Sequence, residues 1–276
     1  MSLQERAGIA GARRVVVKVG SSSISGENAE KIQPIVEALA EAHARGTEVV
    51  LVSSGAIATG MPFLLLDSRP SDLATQQAAA AVGQNVLIYR YQAALRPFEI
   101  VAGQVLLTAG DLENATHRSN ARRAMERLLG LRILPIVNEN DTVATHEIRF
   151  GDNDRLAALV AQLIGADALV LLSDIESLYT RPPAEPGARP IHSVEYGDDL
   201  AGYEFGSVVV NSVGTGGAAT KVSAAKLASA AGVAVLVTSA DLVFEALRGE
   251  DVGTWFAPNP EPAAPVGTAP VRVDAR

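Results

Sequence analysis

Residues 137–142 (VNENDT) and 150–154 (FGDND) crowd three aspartates, Asp141, Asp152 and Asp154, with three asparagines, Asn138, Asn140 and Asn153. They follow a strand-like run, 133–137 (ILPIV). A buried charge must be paired, so this stretch is expected outside the core, as a solvated loop or as the acidic wall of a site. Three turns elsewhere would give such a wall something to act on. The first, Lys18-Val19-Gly20-Ser21-Ser22-Ser23, closes an apolar run and carries a lysine. That ammonium is expected to meet an anion at the carboxyl edge of a sheet or to snorkel to solvent. The second, Ser53-Ser54-Gly55-Ala56-Ile57-Ala58-Thr59-Gly60, has residues small enough for backbone amides to approach an anion, although ordinary tight turns look the same. The third, Gly214-Thr215-Gly216-Gly217-Ala218-Ala219-Thr220-Lys221, lacks the Gly-Lys-Ser/Thr adjacency of a P-loop. Lys221 instead stands one turn into the following helix, beside the amides of a helix N-terminus.

Phosphoryl transfer is mostly positioning and charge neutralisation, and these parts suit it. Lys18 and Lys221 would flank the phosphates, amides at Gly20, Gly55, Gly216 and Gly217 would hold oxygens, and an aspartate would hold the lysines. No histidine or tyrosine belongs to any of the three turns. A carboxylate acceptor is already ionised at pH 7 and needs no general base, whereas a hydroxyl normally does. An acyl phosphate is therefore the favoured product. A rival reading takes Gly214-x-Gly216-x-x-Ala219 as a dinucleotide fingerprint, with Asp241 about twenty residues on. A nicotinamide enzyme built that way would leave Lys18, the second turn and the acidic stretch without purpose.

The elements that must position these groups are legible in the apolar pattern. Of 276 residues, 48% are hydrophobic, which at this length suits one large domain or two small ones. Continuous apolar runs at 14–19, 48–52, 104–107, 133–137, 168–172 and 234–237 look like strands covered on both faces, as in parallel sheets. Segments 29–45, 75–95, 115–129, 155–164, 218–231 and 242–247 read as helices between them. The alternation predicts an α/β fold, a three-layer αβα sandwich. Residues 181–190 (RPPAEPGARP) read as a surface excursion. Residues 1–257 are expected to form the catalytic domain and 258–276 a Pro- and Ala-rich tail.

Charge bounds the partners. With 31 acidic against 23 basic residues there is no basic stripe for nucleic acid or an anionic membrane. The absence of cysteine removes disulfides, thiolate catalysis and Cys-ligated zinc. His43, His117, His146 and His192 have no metal-ligand spacing and read as surface or loop positions, so no protein-held metal site is assigned. The polar N-terminus does not resemble a signal peptide, and no run of eighteen apolar residues occurs, so a cytoplasmic protein is expected.

Taken in order, Val17-Lys18-Val19-Gly20-Ser21, residues 52–58 (VSSGAIA), 77–84 (QAAAAVGQ), 137–144 (VNENDTVA), 150–154 (FGDND), Ser173-Asp174 and 214–221 resemble the amino acid kinase family. The likeness spans residues 12–256. The run 138–154 is particular to the members that phosphorylate free glutamate. The resemblance implies an open, mainly parallel eight-stranded sheet and transfer of the ATP γ-phosphate to the γ-carboxylate of L-glutamate. It further implies a first step of proline synthesis, a need for Mg2+, feedback inhibition by L-proline and a homo-oligomer. By motif, Lys18, Lys221 and Asp154 would be catalytic. Ser54, Gly55, Asp141 and Asn153 would hold glutamate, Asp141 meeting the ammonium that N-acetylglutamate lacks. Lys18, Gly20, Ser173, Asp174, Thr215, Gly216, Gly217, Ala218, Ala219, Thr220 and Lys221 would line the ATP site. Acetylglutamate or aspartate kinase activity, or nucleotide binding without catalysis, are alternatives on the same fold. The sequence departs from the family pattern in four places: the C-terminal PUA domain common in relatives is not expected here, Glu176-Ser177 stands for Asp-Gly, Pro182-Pro183 for an expected Asp-Pro, and Gln76 for a lysine frequent in relatives.

Overall fold

In the computed structural model, residues 3–24, 26–144, 153–205 and 217–262 are described. The strands are β1 (Arg14–Lys18), β2 (Glu48–Val52), β3 (Ala102–Leu107), β4 (Leu134–Glu139), β5 (Ala168–Ser173), β6 (Ser193–Val194), β7 (Ala234–Ser239) and β8 (Thr254–Phe256). They form one eight-stranded sheet in the order β3-β4-β2-β1-β5-β7-β8-β6. Pairing is parallel from β3 through β7; β8 runs antiparallel to β7, and β6 parallel to β8.

Helices α1 (Ile32–Ala44), α2 (Ala56–Gly60), α3 (Leu73–Leu95) and α8 (Val243–Leu247) cover one face. The other carries α4 (Ala109–Glu113), α5 (Ala115–Gly130), α6 (Asn153–Ile164) and α7 (Ala218–Ala230). The unbroken apolar runs have their explanation here. Alternate residues of one strand enter different cores: Val15 and Val17 join the α1 side, Val16 the α6 side. Leu169 and Leu171 likewise part from Ala168, Val170 and Leu172. Period-two alternation vanishes because both faces are apolar.

The longer elements were legible in the sequence, and the short ones were not. The six anticipated strands and six helices all form, with ends displaced by a few residues; the first helix, expected from 29, starts at Ile32 after a 3-10 turn. Missing from the sequence reading were α2, α4, β6 and β8, each too short to show a period. Residues 181–190 form no regular element beyond one bridge, Tyr179 to Pro190.

One expectation is corrected. The acidic stretch does not lie wholly outside the core. Asn138 and Glu139 are the buried end of β4, and Asp154, in the first turn of α6, is fully buried. Its charge is tolerated because cations meet it, as described next.

Candidate active site

β1 sits at the middle of the sheet, with β2 and β4 to one side and β5 and β7 to the other. Chain order reverses across β1 and β5, the crevice where open α/β sheets bind ligands. Alternation along β1 turns Lys18, its last residue, onto the α6 side. There Lys18 Nζ lies 2.5 Å from Asp154 Oδ1, and Lys221 Nζ, from the first turn of α7, lies 3.1 Å from Asp154 Oδ2. Two lysines 203 positions apart in sequence (221 − 18) thus share one carboxylate. All three side chains are almost fully buried. Thr220 Oγ1 accepts from the Gly217 N–H at 3.0 Å and sits 3.3 Å from Asp154 Oδ2. The helix end behind Asp154 adds its positive dipole to this neutralisation.

On the β5 side, Ser173 ends its strand and Asp174 follows. Asp174 Oδ1 accepts from Ser22 Oγ at 3.0 Å and Ser23 Oγ at 3.3 Å, which joins this edge to the turn that begins at Gly20. Gly217, Ala218 and Ala219 stand at the start of α7, where the first N–H groups of a helix lack internal partners. Thr215 and Gly216, assigned from sequence to the ATP site, lie outside the described residues, as do Asp152 and His146.

On the β2 side, Ser53 extends the ladder by donating its N–H to the Val137 carbonyl at 2.8 Å. Ser54 follows, and Gly55 adopts φ of 86°, a left-handed conformation that suits glycine, to start α2. A Cβ at Gly55 would come 3.2 Å from Ser21 Cβ, so the first and second turns are in contact. Asn153 Nδ2 donates to the Ser53 carbonyl at 2.6 Å and to Asn138 Oδ1 at 2.7 Å. Asn138 Nδ2 in turn donates to Gln84 Oε1 of α3 at 2.6 Å. Beyond them, Asp141 sits in the turn after β4 and lines a cavity of about 270 Å³ with Gln84, Asn85, Gln104, Glu139 and Asn140.

Sequence reasoning singled out Lys18, Lys221, Asp154, Asn153 and Asp141, and these fall along one edge of the sheet. It assigned no role to Asn138, Gln84 or the Ser22–Ser23 hydroxyls, although all lie in quoted motifs. Tyr91 was missed entirely. It projects from near the C-terminal end of α3, distant in sequence from every turn, and its phenol meets Ser53 Oγ at 3.0 Å. Complete burial raises the Tyr91 pKa, only partly countered by Ser53, so the phenol keeps its proton. It is therefore no general base. His43, His117 and His192 stand elsewhere: His43 faces the Arg132 carbonyl, His117 pairs with Asp111, and His192 is an exposed residue whose carbonyl takes Arg6. Asp241, the acidic member of the dinucleotide reading, is 70% exposed and paired with Lys31 at the surface. Ser177 takes no positive φ, so the family glycine it replaces is not needed for backbone freedom there.

Comparison with known proteins agrees with this fold. Residues 13–239 match the amino acid kinase family. Glutamate 5-kinase of Clavibacter sepedonicus is 72% identical over 258 residues, covering 94% of this chain and 99% of that one. Glutamate 5-kinase of Thermobifida fusca is 56% identical, over 92% of this chain and 67% of the longer relative. Among solved structures, carbamate kinase from Giardia lamblia bound to AMP-PNP superposes with a TM-score of 0.67 at 16% identity, covering 91% of this chain and all of that one. UMP kinase from Bacillus anthracis has a TM-score of 0.59 at 14% identity over 89% of this chain and 96% of that one. The nicotinamide reading is thereby overturned, and this chain belongs to the amino acid kinase family.

Proposed function

We propose that the protein is a glutamate 5-kinase, transferring the γ-phosphate of ATP to the γ-carboxylate of L-glutamate. One observation carries the mechanism: Lys18 and Lys221 converge on the two oxygens of Asp154 at the carboxyl edge of β1. Held there, the ammonium groups can neutralise the charge that spreads over a transferring phosphoryl group, which is where enzymes of this class gain most. Asp154 keeps them apart and aimed. It is a positioning residue, since both its oxygens face cations. The acceptor side is Ser54, Gly55, Asn153 and Asp141; the nucleotide side is Gly20, Ser173, Asp174 and the start of α7, while Thr215 and Gly216, assigned to it by motif, lie outside the described residues. The acceptor carboxylate attacks unaided, in keeping with a neutral Tyr91 and a site that needs no base.

Mg2+ fits this site as a partner of the nucleotide. Among the described residues no group of three or more acidic or histidine side chains could cage a metal. The ion commonly keeps substrate phosphates among its ligands, and it would neutralise phosphate charge beside Asp174. Inhibition by L-proline and assembly of several copies are part of the same proposal, supported by kinship alone. No described helix is long and apolar enough to cross a membrane.

Trapping with hydroxylamine tests the reading. Purified protein with Mg-ATP and glutamate should yield the γ-hydroxamate, with little from N-acetylglutamate or aspartate. Hydroxamate from one of those two and none from glutamate would reassign the substrate.

A further inference from the structure

The amide chain running from α3 through β4 to α6 has a polarity that its fixed partners impose. A backbone N–H can only donate, and that of Glu139 lies 2.9 Å from Asn138 Oδ1. A backbone carbonyl can only accept, and that of Ser53 lies 2.6 Å from Asn153 Nδ2. These two contacts decide which end of each amide is oxygen. Asn153 therefore directs both N–H groups to Ser53 and Asn138, leaving Oδ1 for a ligand. Gln84 has its oxygen engaged by Asn138 Nδ2, leaving Nε2, which can only donate.

Gln84 also lines the cavity of about 270 Å³ whose other walls include the carboxylates Asp141 and Glu139. Such a wall would attract a cation and repel an anion. The head of a free amino acid is both, an ammonium and a carboxylate on one carbon. A donor-only amide among the acids removes the conflict.

We propose that Gln84 is a specificity-determining residue, donating from Nε2 to the α-carboxylate of the substrate while Asp141 takes the α-ammonium across the same cavity. This rests on the glutamate reading above. The amide chain then connects the head of the substrate, through Asn138 and Asn153, to the helix turn that holds Asp154.

The probe is L-glutamate α-amide, which keeps the ammonium and the reacting γ-carboxylate but presents a carboxamide in place of the α-carboxylate. Wild-type protein should prefer glutamate. In Gln84→Glu the new carboxylate can still accept from Asn138 Nδ2, so the chain of amides stands, but the donor is gone. The kcat/KM for glutamate should fall on the order of 10–100-fold, the range for a hydrogen bond to a charged group. The loss should lie mainly in KM for glutamate, with KM for ATP unchanged. The α-amide should lose less, compressing or inverting the preference. Equal losses for both substrates, or kinetics indistinguishable from wild type, would overturn the proposal. Should Gln84→Glu not fold, wild-type protein decides: equal kcat/KM for glutamate and its α-amide overturns the inference while leaving the kinase reading intact. No turnover of glutamate by wild type defeats the kinase reading first, and this inference with it.

Discussion

Asp154 is a fully buried carboxylate with an ammonium on each oxygen. Breaking such a group by removing one member typically costs about 3–5 kcal/mol. Asp154→Asn should therefore lower stability by about that amount, seen in urea or thermal melts, and should abolish most turnover by loosening both lysines. Lys18→Ala and Lys221→Ala should each reduce kcat by roughly 10²–10³ or more, as for a lost oxyanion donor. A coupled ADP-release assay checks this; a change confined to KM would contradict a role on the moving phosphoryl group. Residue types gave away the charge chemistry, because a lysine ending a buried strand needs an anion. They could not reveal that the anion is itself inside. Burial of Asp154 depends on two cations arriving from β1 and α7, a coincidence of tertiary structure with no local signature. Gln84 and Tyr91 were hidden for a related reason: each acts from α3, whose face over the site is set by packing and not by its own sequence.

At the scale of elements, α2 and α3 approach so closely that glycine is obligatory on both. A Cβ on Gly60 would stand 1.9 Å from the Ala79 carbonyl oxygen, and one on Gly83 would stand 1.8 Å from that of Ala56. The run QAAAAVGQ is thus a contact surface as much as a motif. Because α2 begins at Gly55, pushing the helices apart displaces the Ser54–Gly55 turn. Gly83→Ala should cost about 1–3 kcal/mol or more, the usual penalty of overpacking, and should raise KM for the amino acid while KM for ATP holds. Unchanged melting and unchanged KM together would refute this account of the pair. The sequence reading placed the start of α3 within two residues, since 23 residues far exceed the length of a strand. The five residues of α2 could not be distinguished from a turn.

For the molecule as a whole, the end of β1 remote from the site is held by that strand's other buried cation. Arg14 donates to Glu48 Oε2 at 2.7 Å, to Glu126 Oε1 and Oε2 at 2.9 and 3.0 Å, and also to the Ile164 carbonyl. It thereby joins β1, β2, α5 and the end of α6. The hydrogen bond from Arg14 holds the Glu126 carboxyl below its ordinary pKa of 4.5, against the opposing effect of burial. Since the folded value is the lower one, this contribution is complete above the unfolded pKa and disappears as pH falls through the folded value. Glu126→Gln should accordingly flatten the acid limb of stability below about pH 4.5, as read from urea midpoints across that range. An acid limb as steep as wild type would count against it. The helix α6 meets both cations, Lys18 through Asp154 in its first turn and Arg14 through the carbonyl of its last residue, Ile164. Its twelve residues, about 18 Å of rise, act as a gauge bar laid against β1. Inserting or deleting one residue would turn one terminus by about 100° relative to the other. Such a change could satisfy the reaction end or the anchoring end, and never both, so the length of this helix is a quantity that evolution has little freedom to alter.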